Sequence, residues 1–215
     1  MKEWDKFHKK RTEKMGEEKP HPEVTKLVKT LKGNNCKKIL DHGCGIGRNL
    51  FYLRQEGFEV YGIDNSDYAL ASLKKKNLPP KYIIHGDISK IPFEDNFFDT
   101  LISTNVLAHG NLKQIERYIS EIKRVVKPGG IILLVVPSIH FFEKVKTKET
   151  KEISSGTYIG LNIPDKEIPR HYFTKEEMQR FFNNDKILKN EYIDEYSCFM
   201  KKTVNHLIFI CQIGE

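Results

Sequence analysis

The apolar pair Ile39-Leu40 runs into Asp41-His42-Gly43-Cys44-Gly45-Ile46-Gly47, three alternate glycines, before apolar residues resume at helical spacing from Leu50. The pattern predicts a strand, a tight turn and a helix. Glycine accepts positive φ and lets another group approach the backbone closely, so three at this junction predict a loop shaped around a ligand. Asp41 then stands at the strand end with its carboxylate facing what the loop holds. A glycine-rich turn with no ligand would read the same way on these residues alone, so the rest of the chain must decide.

The same alternation recurs downstream. Strands are expected at 38–41, 58–63, 82–85, 97–103 and 131–136. Helices are expected after Pro22, after the glycine loop, after the N-cap signal Asn65-Ser66-Asp67, and over 112–126, where Lys127-Pro128-Gly129-Gly130 ends the last. The connection through Ile91-Pro92-Phe93 is too short for a crossover helix and is expected to be irregular. Alternation fails over 138–172, read as a long connection without elements of its own. Order returns with Thr174 and Glu177, spaced as a capping box for a helix carrying Met178, Phe181 and Phe182. The segments 187–196 and 204–213 read as strands, and their short link suits an antiparallel hairpin. At the N-terminus Trp4 and Phe7 are spaced as one face of a short helix.

Five strands separated mainly by helices imply a doubly wound parallel α/β sheet, which binds ligands at the carboxyl ends of its strands. The glycine loop, Asp64, Asp87 and Thr104-Asn105 all fall at such ends, which favours a ligand over an empty turn. Asp64 is placed to accept hydrogen bonds from both hydroxyls of a ribose. Asp87 could accept from the exocyclic amine of a purine, with the Ile88 N–H meeting a ring nitrogen. A dinucleotide fingerprint started at Gly43 would need glycine at position 48, where this chain has Arg48, and no G-K-[ST] sequence of a phosphate loop is present. A nicotinamide enzyme is thus the minor reading.

At 215 residues, with 39% hydrophobic and 30% charged residues, the chain is expected to form a single domain over 1–215. The N-terminus does not read as a signal peptide and no apolar run reaches the ~20 residues of a membrane span, so a cytoplasmic protein without membrane contact is expected. Cys36, Cys44, Cys198 and Cys211 show neither a disulfide framework nor metal-ligand spacing, and are read as buried thiols with no metal. The net charge of +7 is spread through lysine-rich surface and is read as solvated rather than as a nucleic-acid patch.

Taken together, Leu40-Asp41-His42-Gly43-Cys44-Gly45-Ile46-Gly47, Gly62-Ile63-Asp64, Gly86-Asp87-Ile88, Phe98-Asp99-Thr100-Leu101-Ile102-Ser103 and Val126-Lys127-Pro128-Gly129-Gly130 resemble, in order, the motifs of the class I S-adenosylmethionine-dependent methyltransferases. The likeness runs from about residue 20 to the C-terminus. It implies a Rossmann-like seven-stranded sheet of order 3-2-1-4-5-7-6 with strand seven antiparallel. His21-Pro22-Glu23-Val24 and Gly47-Arg48-Asn49 resemble the small-molecule branch, including tellurite-resistance and thiopurine-type enzymes. The chain departs from amino-methylating nucleic-acid enzymes in having Ser103-Thr104-Asn105-Val106 after strand four.

The resemblance implies S-adenosylmethionine as cofactor, S-adenosylhomocysteine as product, and in-line methyl transfer to a small-molecule acceptor by a monomer or homodimer. Cofactor-binding residues would be Asp41, Gly43, Cys44, Gly45, Asn49, Asp64, Asn65, Asp87, Ile88, Thr104 and Asn105. A base, where the acceptor needs one, would be His171 or His109. Arg170, His171, Tyr172 and Trp4 would meet the acceptor, with 1–33 as a helical lid and 138–172 as an insertion over the acceptor site. An RNA or protein methyltransferase and a non-catalytic cofactor-binding accessory protein stand as alternatives.

Overall fold

In the computed structural model, which describes residues 3–15, 19–163 and 168–214, strand β1 (Lys38–His42) buries Ile39 and Leu40 on opposite faces, as the two-residue period of a strand requires. It pairs in parallel with β2 (Glu59–Asp64) on one side and β4 (Phe98–Thr104) on the other. Beyond β2 lies β3 (Ile83–His85), and beyond β4 lies β5 (Val126–Pro137), both parallel to their neighbours. Two long strands, β9 (Lys186–Ser197) and β10 (Lys202–Gln212), complete the sheet. β10 is antiparallel to both β5 and β9. The order β3-β2-β1-β4-β5-β10-β9 is the expected 3-2-1-4-5-7-6 with the seventh main strand reversed.

Each face carries its own core. Ile131, Leu133 and Val135 of β5 pack with α2 (Pro22–Gly33), α3 (Arg48–Gln55) and α4 (Asp67–Lys75). Ile132, Leu134 and Val136, on the opposite face, pack with α5 (Leu112–Val125) and α7 (Lys175–Phe181). A central strand buried on both faces has no polar alternation, which is why 131–136 reads as a continuous apolar run.

The segment 138–172 is not structureless. It holds α6 (Ile139–Val145) and a second, three-stranded sheet of β6 (Lys151–Ser154), β7 (Thr157–Ile159) and β8 (Arg170–His171). These strands have four, three and two residues, too few for a period to register in sequence. A third cluster, including Phe141, Val145, Leu161, Tyr172 and Val204, packs them against β10. Two smaller expectations are also corrected. Thr174 accepts from the Glu177 N–H, but Glu177 turns its carboxylate to His171 instead of closing a capping box, and the reciprocal box is found at Asn111 and Gln114. Only Cys44 and Cys211 are buried; Cys36 is half-buried, and Cys198, beside the β9–β10 turn, is exposed.

At the N-terminus α1 (Glu3–Met15) crosses the carboxyl end of the sheet, whereas α2 packs into the core through Val24, Leu27, Val28 and Leu31. Positions 1–2 and 16–18 of the expected lid, and 164–167 of the expected insertion, lie outside the described residues. Among the described residues no helix is long and apolar enough to cross a membrane.

Candidate functional site

A cavity of about 250 Å³ opens at the carboxyl ends of β1, β2 and β4. Its floor is the turn after β1. Gly43 and Cys44 both donate backbone N–H bonds to the Ile63 carbonyl, at 2.9 and 3.0 Å, which ties the turn to β2. Gly43 has φ +70°, and a Cβ there would come within 2.4 Å of Val106; Gly45 has φ +52°, and a Cβ there would meet the His8 ring at 2.8 Å. Both positions therefore need glycine for conformation, and Gly43 for space as well.

Asp64, at the end of β2, accepts from the Gly45 N–H at 2.8 Å with Oδ2 and from the Ser66 N–H at 2.9 Å with Oδ1. Each oxygen keeps a lone pair, so a diol could still be gripped. Asn65, Asp87, Ile88, Thr104 and Asn105 line the same cavity, Asn105 with a left-handed φ of 62°. Asn49 lines it too, its Nδ2 donating to Thr104 Oγ1 at 3.0 Å. Asp41 sits beneath the loop, 1% exposed, with Oδ2 making no hydrogen bond. Burial pushes its carboxyl up to about 7, against the nearby Arg48 charge. Burial likewise holds the adjacent His42 imidazole down to about 4. The Cys44 thiol is pushed well above its ordinary range, first by burial and then by the Asp64 and Asp41 charges, and is inert.

The roof is α1. Asp5 accepts from Ser66 Oγ at 2.7 Å and from the Tyr68 N–H at 3.0 Å, pinning the helix to the start of α4. Trp4 meets His109 edge to face at 4.5 Å between ring centroids, and Phe7 meets Phe199 of the β9–β10 turn at 5.6 Å. Arg11 lies 5.8 Å from the Phe7 and Phe199 ring centroids.

The expected acceptor residues separate. Trp4, His109 and Arg170 line the cavity; His171 and Tyr172 do not. Successive side chains of an extended strand point to opposite faces, so Arg170 and His171 of β8 cannot both face the cavity. The His171 ring is 1% exposed and bonded on both nitrogens, Nδ1 to Thr157 Oγ1 at 2.8 Å and Nε2 to Glu177 Oε2 at 2.9 Å. Tyr172 lies in the cluster with Phe141 and Phe142. In this geometry His171 holds the small sheet to α7 with both ring nitrogens bonded, and neither it nor Tyr172, both expected at the acceptor, reaches the cavity. Sequence reasoning missed His8, Arg11, Tyr118, Phe199, Met200 and His206, all on the wall. The available signal was the polar pair Asn205-His206, set inside the otherwise apolar stretch Val204-Asn205-His206-Leu207-Ile208.

Residues 40–134 match the model of a family described as "Methyltransferase domain". An uncharacterised methyltransferase from Synechocystis sp. is 40% identical over 100 residues, covering 46% of this chain and 46% of its own length. A sterol 24-C-methyltransferase from Schizosaccharomyces pombe is 34% identical over 133 residues, covering 59% of this chain and 35% of its own length. The chain thus spans less than half the length of either relative. The crystal structure of an S-adenosylmethionine-dependent methyltransferase from Methanosarcina mazei superposes with a TM-score of 0.71 at 21% identity, covering 92% of this chain and 99% of that one.

Proposed function

We propose that this chain, which carries a methyltransferase domain on a methyltransferase fold, is an S-adenosylmethionine-dependent methyltransferase that methylates a small molecule. The single observation that carries the reading is the joining of Asp64 to Gly45: the ribose-seeking carboxylate and the glycine turn are one bonded unit on the cavity floor. The donor set fits this cofactor. Asp64 and Asp87 line the cavity, two carboxylates that would repel a pyrophosphate and attract a ligand with sulfonium and ammonium charges, and Asp41 lies under it. Asp41 Oδ2, buried without a partner, is the group that a nearby cation would satisfy.

When bound, S-adenosylmethionine supplies a methyl group on a positively charged sulfur. The chain's own residues then have three tasks. Asp64, Asp87 and the Gly43–Gly47 turn bind and orient; Trp4, Phe7 and Phe199 exclude water; the wall formed with Arg170, His109 and His206 receives the acceptor. A small-molecule acceptor is supported by the roof, since α1 lies across the opening that a macromolecular segment would need.

Calorimetry with S-adenosylmethionine, S-adenosylhomocysteine and NAD, on the wild type and Asp64→Ala, tests the reading. Binding of the two sulfur nucleosides but not NAD, lost in Asp64→Ala, is expected. Absence of binding to both would sink it. Transfer of labelled methyl to thiols, phenols, amines, oxyanions of selenium and tellurium, and total RNA then reads the acceptor class.

A further inference from the structure

Three side chains far apart in sequence meet behind the cavity wall. His21 precedes α2 as its N-cap, Glu195 lies on β9 and His206 on β10. Glu195 pairs with Val204 and Ile193 with His206 in the hairpin register, so Glu195 and His206 are diagonal neighbours on one face. Glu195 Oε1 is bonded to His206 Nδ1 and lies 3.4 Å from the buried His21 Nε2.

The protons in this group can be placed. His21 Nδ1 accepts from the Glu23 backbone N–H at 3.2 Å, so its ring proton is on Nε2, the nitrogen that lies 3.4 Å from Glu195 Oε1. Burial disfavours ionisation of Glu195, but the hydrogen bond with His206 and the nearby His21 ring outweigh it and hold the carboxyl well below its ordinary range. An ionised carboxylate only accepts, so His206 donates from Nδ1. In the neutral imidazole the lone pair is then on Nε2, which makes no hydrogen bond among the described residues, and the residue lines the cavity. Two imidazoles and a carboxylate are also a transition-metal ligand set, with donor atoms within 4.8 Å of one another. The capping bond to His21 Nδ1 argues against that use, because a protonated Nε2 has no pair to give a metal. The His21 backbone N–H is held by Asn49 Oδ1 at 2.9 Å, so the group is anchored to α3 and, through Asn49, to Thr104.

We propose that His206 is the general base for the methyl acceptor, that Glu195 and His21 are its positioning residues, and that the acceptor carries a phenol-type hydroxyl on a planar apolar body. The inference rests on the methyltransferase reading and deepens it. As the acceptor oxygen forms its bond to the methyl carbon, the carbon–sulfur bond breaks with its electron pair going to sulfur, and the hydroxyl proton passes to His206 Nε2. The resulting imidazolium is balanced by Glu195, which does not itself take the proton. A thiolate or carboxylate acceptor, already ionised, would leave His206 without a proton to remove. A phenol keeps its proton at neutral pH, its pKa being about 10, and Trp4, Phe7, Phe141 and Phe199 supply the apolar wall for its ring.

The first test needs no acceptor. In the full chain labelled with 15N-histidine and saturated with S-adenosylhomocysteine, long-range proton–nitrogen spectra should show His206 protonated at Nδ1 and His21 at Nε2, with the His206 preference lost in Glu195→Gln. His206 protonated at Nε2 in the wild type would overturn the proposal. The second compares phenol with thiophenol, two acceptors of the same ring body, under labelled S-adenosylmethionine. His206→Gln should lower kcat for phenol by about 100-fold, and for thiophenol by less than about 3-fold, with cofactor affinity and melting temperature retained. Glu195→Gln should fall between the two for phenol. Equal losses on both acceptors, or a wild type that binds the cofactor and leaves phenol unmethylated, would overturn it. Failure of the underlying reading shows separately in calorimetry, as a wild type that binds neither sulfur nucleoside.

Discussion

Asp64 Oδ2 accepts the Gly45 backbone N–H at 2.8 Å, so the end of β2 fixes the turn after β1. Asp64→Ala removes the clamp on the turn and, on the proposed function, a ribose partner with it. A loss of at least about 100-fold in S-adenosylmethionine affinity, with a stability loss of about 1–3 kcal/mol for the hydrogen bonds to a buried charge, is expected from calorimetry and urea unfolding. An affinity within 3-fold of wild type would remove Asp64 from the site.

Gly43 is the tightest position of the turn, because an added Cβ meets Val106 at 2.4 Å and the backbone stands at φ +70°. Gly43→Ala should lower stability by about 1–3 kcal/mol. Val106→Ala in the same chain should return the steric part and leave the conformational part, about 1 kcal/mol, which cannot be relieved by a neighbour. Thermal unfolding of the two single variants and the double variant separates the two contributions.

Asp41 and His42, adjacent at the end of β1, work in opposite directions with pH. Burial raises the Asp41 carboxyl from 3.8 to about 7, so its stabilising contribution is complete below about 4 and is lost as pH rises through about 7. Burial lowers the His42 imidazole from 6.5 to about 4, so its contribution is complete above about 6.5 and is lost as pH falls towards about 4. Between these limits the two slopes oppose each other in the ligand-free protein. Asp41→Asn should unmask stability that rises with pH, and His42→Asn stability that falls with pH, each by up to about 1.4 kcal/mol per pH unit. Urea unfolding from pH 4.5 to 7 reads both, and parallel curves for the two variants would contradict the assignment.

Asp5 fastens the roof through Ser66 Oγ and the Tyr68 N–H. Asp5→Ala should release α1 while leaving the sheet intact. Hydrogen exchange should rise over residues 3–13 and not over β1 or β4, and S-adenosylmethionine should dissociate about tenfold faster. Unchanged exchange in α1 would show that the aromatic contacts of Trp4 and Phe7 suffice to hold it.

His171, bonded to Thr157 and Glu177, is a fastening of the small sheet. His171→Ala leaves two buried polar partners unsatisfied and should cost about 2–4 kcal/mol, with cofactor affinity changed by less than about 3-fold. A large loss of activity in a variant of unchanged melting temperature would restore it to the site.

The two halves of the site differ in how far they can be read from residues. Gly43, Gly45, Asp64 and Asp87 follow strands by fixed short offsets, and the right end of a strand is a local property. His109 and Arg170 could be named as candidates, but His171 could not be separated from Arg170, because the two-residue β8 becomes a strand only by pairing with β7 and lying along the loop at His109. His206 and Phe199 were missed because nothing in their own neighbourhood says that β10 returns beside β5 with its early residues at the cavity.

The amino-acid sequence by itself determined the doubly wound sheet, its C-terminal hairpin and the glycine–aspartate floor, because apolar period, caps and glycines act on neighbours a few residues apart; the strand order came from the likeness of its motifs to a known family. Tertiary structure alone decided what fastens the roof and which residues form the far wall of the cavity. Asp5 meeting Ser66, Phe7 meeting Phe199, and His21 meeting Glu195 and His206 are contacts across 61 to 192 residues, from 66 − 5 to 199 − 7. Such contacts depend on how layers pack, and packing is a property of the whole chain rather than of any stretch of it.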